Sequence, residues 1–244
     1  MLDERVPLIF PLSQKPHWRA DPYALTFLKT PYEGQFAAKQ WMCGTQEPVT
    51  YSRTRLWRPF VARADGIQTL SLVLLRAAKI PSLALLRGAV RETSAHFGYV
   101  NRRVREHLGE PPPDIEDVPR HWLMIDIDSL AEPDGFDWKQ EPRRAAIWAA
   151  RRYLPNTLKE HAFHFHYSGS AGMKPGLHLH FWFWLARPLN SLEAKSYLRR
   201  VGEGKVDLSL YSAVQPHYTA DPIFVGLNDP IVHERGGLVI GLDE

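Results

Sequence analysis

The spacing of apolar residues divides the chain into two stretches of different character. From Ile67 to Ile80 apolar positions recur at helical spacing, Pro81 stops the run, and "LALLRG" reads as a short buried strand closed by Gly88. Residues 89–108 predict another helix, with Arg91, Arg102, Arg103 and Arg105 toward one end. The first 66 residues show no sustained period and predict short strands and loops. Within them, "YSRTRLWRPF" suits either an amphipathic edge strand or a contact with nucleic acid. The stiff "EPPPDIEDVP" is the best internal boundary and separates a lobe of residues 1–114 from one of residues 115–244.

Beyond that boundary the pattern predicts strand "HWLMIDID", helix "EPRRAAIWAARRYL", strand "AFHFHYS", a glycine-containing loop and strand "LHLHFWFWLA". A helix follows, announced by Asn190 three residues before Glu193, and then a strand "KVDLSLY". This order is α+β and compatible with a βαββαβ palm. The run "GLVIGLDE" predicts a last strand, with the expectation that these residues form the first domain of a longer protein. No internal repeat is visible.

Composition narrows the class. The 244 residues, 44% hydrophobic and 23% charged, suit a compact soluble fold and exclude extensive disorder. A net charge of +3, with 30 Lys+Arg in local groups, fits a phosphate-bearing partner. The single cysteine, Cys43, excludes an internal disulfide and any zinc site needing two thiolates, and points to a reducing compartment. "MLDERVPLIF" is too short an apolar run for a signal peptide, and "TLSLVLLRAAKIPSLALL" is broken by Arg76, Lys79 and Pro81. A cytoplasmic protein without a membrane partner is expected.

Asp126 and Asp128 stand two apart in "LMIDIDSL", an extended segment where side chains at i and i+2 leave the same face. Two adjacent carboxylates there are costly without a cation, and a hard divalent ion such as Mg²⁺ or Mn²⁺ is the natural compensation. The plainer alternative is a strand end whose aspartates cap the next loop. Asp207 adds a third carboxylate in "KVDLSLY". Three on neighbouring strand ends can hold two ions and support in-line attack on a phosphoryl group; alone, Asp207 suits a turn.

In "LHLHFWFW", His178 and His180 share one face, while Leu177, Leu179 and Phe181 share the other. The histidines suit a metal clamp, a phosphate holder or a satisfied structural role. Upstream, "HYSGSAGMKPG" offers the hydroxyls of Ser168 and Ser170, the cation of Lys174 and three glycines, a set able to fold around a triphosphate or to serve as a plain hairpin loop.

The ordered set "IDID" (Asp126, Asp128), "GLH" (Gly176 to His178) and "VD" (Val206, Asp207) resembles the archaeo-eukaryotic primase superfamily, over about residues 115–225. "LLRG", with "NRRVR" further on, is similar to the segment preceding the catalytic strands in its mobile-element members. The resemblance implies a two-lobed α+β fold with an RRM-like βαββαβ palm, and template-directed nucleotidyl transfer on single-stranded DNA. It implies that Asp126, Asp128 and Asp207 hold two Mg²⁺ or Mn²⁺ ions and that His178 contacts the triphosphate of an incoming NTP or dNTP. His180 becomes a supporting ligand or a residue that backs the ligands from behind, and the phosphate holder is the preferred reading of the pair. Where the family places basic residues near the nucleotide after the third motif, this chain has Gln215, His217 and Tyr218, which are expected to replace them, Gln215 and His217 as nucleotide-binding residues. The family's cysteine-rich zinc module is missing, and no zinc site is expected. Arg102 and Arg103 are expected to contact template or primer phosphates. A replicative helicase, fused or separate, is a candidate partner.

Two rivals remain. "HLH" is also the metal clamp of rolling-circle nickases and relaxases, with Tyr197 in "SYLRR" as the candidate nucleophile. A non-catalytic replication-initiator domain would instead use basic helices such as "PRRAAIWAARRYL" to bind DNA.

Overall fold

A computed structural model describes residues 8–52, 54–95, 98–103, 112–201 and 206–241. Two antiparallel sheets dominate. The first holds β1 (Ala24–Lys29), β2 (Leu56–Arg63) and β3 (Leu83–Leu86), with helix α1 (Ile67–Ala78) between β2 and β3. Its order is Phe10–Pro11, β2, β1, β3 and Pro216–His217, and Val100–Asn101 also pairs with β2. Helix α1 buries Leu70, Val73, Leu74 and Ala77 against Leu25, Phe27 and Leu85 of the sheet, the face that its apolar spacing predicts. Pro81 follows the helix, as a helix breaker should.

The second sheet holds β4 (Arg120–Leu130), β5 (Phe163–Tyr167), β6 (Leu177–Leu189) and β7 (Gly236–Val239), in the order β7-β5-β6-β4. Helices α2 (Pro142–Tyr153) and α3 (Ser191–Val201) complete the expected βαββαβ succession. Pro142 starts α2, where its missing N–H costs nothing. Asn190 and Glu193 cap α3 reciprocally: each backbone N–H donates to the other's side chain, at 2.9 and 2.8 Å.

Strand alternation sorts the side chains of this sheet. Leu123, Ile125, Phe163, Phe165, Leu179, Phe181 and Phe183 face α2 and α3, whose alanines allow close approach. On the other face Trp122, Met124 and Trp182 pack against α1 and the first sheet. Burial of each such large side chain stabilises the fold by roughly 2–3 kcal/mol, so the two lobes share one core.

Two fully buried arginines tie the lobes further. The Arg87 guanidinium donates to the carbonyls of Trp122 and Leu189. In return Arg120 donates to the carbonyls of Arg19, Asp21, Arg87 and Gly88 and to the Thr26 hydroxyl. Burial holds Arg120 down to about 9 and Arg87 to about 10. Gly88 is required here, since a Cβ would lie 2.6 Å from the Ala213 carbonyl.

Three expectations are corrected. The described part of residues 89–108 is no long helix: Ala89–Val90 pairs with Ile115–Glu116, a single helical turn covers Glu92–Ala95, and Val100–Asn101 is a strand. Asp114 explains this, because its carboxylate accepts from the Ser94 hydroxyl and the Asn101 N–H, both at 2.6 Å, and so draws the backbone out of the helix. Arg105 lies outside the described residues. "KVDLSLY" is not a strand, since Leu208–Leu210 forms a 3₁₀ turn; Lys205 is also outside the described residues. Finally, the boundary near residue 114 is not a clean division. Pro216–His217 pairs with β3, and Ile223–Val225 runs parallel to Gln40–Met42, so the chain returns to the first lobe. Among the described residues, no helix is long and apolar enough to cross a membrane.

Candidate active site

The polar ends of β4 and β6 open into a cleft of about 340 Å³ between the lobes. Asp126, Asp128, His178, His180, Ser168, Ser170, Lys174, Gln215 and His217 all line it, joined by Lys39, Tyr51 and Tyr218. Residues expected at one site from four separate segments therefore meet at one place.

Register makes the core of the site. Asp126 is the direct cross-strand partner of His180, and His180 of His166. His180 Nε2 stands 3.4 Å from Asp126 Oδ1, beyond a good hydrogen bond, and that buried oxygen has no hydrogen-bond partner. Burial, and then the charges of Asp128 and Asp207, push the Asp126 carboxyl up to about 7. Burial likewise drives His180 and His217 down to about 3, so both imidazoles are neutral.

Asp128 is more open, and its carboxylate accepts from His178 Nδ1 at 2.8 Å, a bond that holds its pKa below the ordinary carboxylate value. His178 Nε2 meets the Pro175 carbonyl at 3.1 Å. Both partners are acceptors, so the ring stands between them as a hydrogen-bond donor. Gly176 sets the entry to this strand. With φ at +82°, its Cβ position is 2.7 Å from the Leu130 carbonyl, which is why a glycine precedes "LH".

The serine-rich loop closes one wall. Ser168 Oγ accepts from the Ser170 N–H, and Ser170 Oγ accepts from Lys39 Nζ. Burial lowers the Lys39 ammonium, partly offset by Asp128. Lys174 is paired with Glu47 at 3.0 Å on the rim. Opposite, the rings of Tyr51 and Tyr218 stack at 3.4 Å and 6°. Lys39 and Tyr51 escaped sequence reading because they belong to a stretch without period; "YSRTRLWRPF" supplied the one signal, its tyrosine.

The other candidates fall as follows. Asp207 accepts from the Ser209 N–H and hydroxyl at 2.8 and 2.9 Å, capping the 3₁₀ turn, yet its charge reaches Asp126. Among the described residues, no three His, Cys, Asp or Glu side chains converge on a ready-made metal position. The donor set is nonetheless hard, and the partnerless Asp126 oxygen beside Asp128 fits a divalent cation. Arg102 reaches the cleft edge, donating to the Val214 carbonyl at 3.0 Å, whereas Arg103 donates to the Pro112 carbonyl. Tyr197 bonds to Thr157 and packs on the α2 and α3 side of the sheet, opposite the histidines. It cannot serve as their nucleophile. A larger groove of about 1150 Å³ runs along α2, with Arg143, Arg144 and Trp148 alongside Asp134, Glu141 and Glu234; its mixed charge carries no reactive set.

No family model matches the chain, and no solved structure matches it. Over 133 residues it is 29% identical to a protein of Escherichia phage T5 named "Putative replication origin binding protein". The match covers 48% of this chain and 14% of the phage protein, so the chain spans a small part of that relative's length.

Proposed function

We propose that this chain is a primase-polymerase domain acting in the initiation of DNA replication, which joins nucleotides on a single-stranded DNA template. The observation that carries the reading is the half-buried Asp126 beside Asp128, raised to about 7, within the cleft that also holds the Ser168–Lys174 loop. Asp126 and Asp128 would hold the divalent cations, and Asp207 would join them on leaving its cap. Such cations supply charge neutralisation on a triphosphate and lower the cost of generating an attacking oxyanion. Lys39, Lys174 and the two serines would bind the phosphate groups of the nucleotide. His178, fixed by Asp128, would donate to a phosphate oxygen by exchanging its Pro175 partner. Neutral His180 lines the floor without competing for phosphate charge.

The test is an end-labelled single-stranded template with Mg²⁺ or Mn²⁺ and labelled nucleotides, beside the double variant Asp126→Ala, Asp128→Ala. Template-dependent products that vanish in the variant support the reading. Wild-type protein that makes none under any of these conditions overturns it.

The name of the phage relative favours a second reading, a non-catalytic origin-binding domain. It predicts sequence-selective DNA binding that is indifferent to divalent cations and to Asp126→Ala.

A further inference from the structure

Strand β2 carries a row of charges that the cleft does not use. Lys29 of β1 and Arg58 of β2 are direct cross-strand partners, so two cations share one face of the sheet side by side. Like charges directly opposite in a sheet destabilise the pair. Neither makes an ion pair with a carboxylate among the described residues. Arg58 donates from Nε and Nη2 to the Tyr99 hydroxyl, at 3.2 and 2.9 Å, and Lys29 Nζ lies 5.8 Å from the Phe60 ring centre. Tyr99 and neighbouring Leu56 are both exposed.

The row's strand connects to the cleft through the backbone. The Arg102 N–H donates to the Arg55 carbonyl, Leu56 pairs with Asn101, and the Arg102 charge acts on Tyr218 inside the cleft. The Arg58–Lys29 pair stands beyond this connection, with the Tyr99 and Phe60 rings beside its cations.

We propose that Lys29, Arg58 and Tyr99 form a track for single-stranded DNA on the first sheet, outside the cleft. Phosphates relieve the unpaired Lys29–Arg58 repulsion, and exposed ring surface receives bases without reading their identity. The inference takes from the proposed function only its single-stranded template. Duplex DNA fits less well, because its bases are not available to stack.

The experiment measures binding of a fluorescent oligothymidylate across a salt series for wild type, K29E, R58E and Y99A. Each charge reversal is expected to weaken binding about tenfold or more and to flatten the log K against log salt slope by about 0.7, the worth of one phosphate contact on a single strand. K29E sets opposite charges across the strands, so its melting temperature should hold or rise, which separates lost binding from lost folding. Y99A should weaken binding and leave the salt slope alone. Unchanged affinity and slope in K29E and R58E would overturn the track, as would equal losses on a duplex of the same length. Synthesis on saturating template reads the proposed function separately. If wild type and K29E both make product while K29E binds normally, only the track falls; if wild type neither binds nor synthesises, both fall.

Discussion

His180 and Asp126 face each other across β6 and β4 at 3.4 Å, too far for a good bond, and that Asp126 oxygen has no other hydrogen-bond partner. The pair concentrates the cost of the site in one carboxyl group, whose proton is retained to about pH 7. Between about pH 4 and 7 the folded chain keeps a proton that the unfolded chain, at the ordinary value of 3.8, has released. This group's contribution to stability therefore falls as pH rises through that window and is fully lost above it. Melting curves with chelator should show wild type losing stability relative to Asp126→Asn between pH 5 and 8. Mg²⁺ or Mn²⁺ added at pH 8 should raise the wild-type melting temperature and leave that of Asp126→Asn unchanged.

Asp128→Ala and Asp207→Ala test the carboxylate set by activity. Each is expected to reduce nucleotide incorporation at least about 100-fold, the scale of losing a charge-stabilising group at a phosphoryl centre. Single-strand binding, read by anisotropy, should stay within about twofold of wild type. An Asp207→Ala variant with normal synthesis would leave Asp207 as a turn cap alone.

Among the described residues, Lys39 is the cation that reaches the serine loop from the first lobe. Removing it by Lys39→Ala should raise KM for nucleotide about 10- to 100-fold, the worth of a charged hydrogen bond, with a smaller effect on kcat. Steady-state kinetics at saturating template measure the split. Ser170→Ala should shift KM in the same direction by less.

Gly176→Ala forces a side chain toward the Leu130 carbonyl at a φ of +82°. A cost of about 1–3 kcal/mol is expected from denaturant unfolding. Incorporation should drop as well, because β6 carries His178 two residues on.

Arg120→Met removes five hydrogen-bond contacts to the first lobe and leaves buried carbonyls without donors. Each orphaned group costs about 1–3 kcal/mol, so urea unfolding should show a loss of at least about 3 kcal/mol. Limited proteolysis between the lobes should accelerate in parallel.

Much of the second lobe was legible from periodicity. The alternation of "LHLHFWFW" placed His178 and His180 on one face, "IDID" did the same for Asp126 and Asp128, and the Asn190–Glu193 box marked a helix start. The stretch from residue 89 to 103 misled, because a distant carboxylate, Asp114, competes with the helix for its backbone N–H groups. Asp207 misled in the opposite sense: its side chain bonds two residues ahead and folds a turn where a strand was expected.

The sequence by itself determined which side chains leave each strand on the same side, because that alternation is set by backbone geometry from one residue to the next. That the carboxylates and the imidazoles face the same side was set by the pairing of β4 with β6, which puts Asp126 opposite His180. Tertiary structure alone decided what confronts them. Lys39 meets Ser170 across 131 residues of chain, Tyr51 stacks on Tyr218, and residues 216–217 return to the first sheet to bring His217 into the cleft. Contacts of that separation follow from how two sheets share one buried face, a condition on the packing of the whole chain that leaves no local period to read.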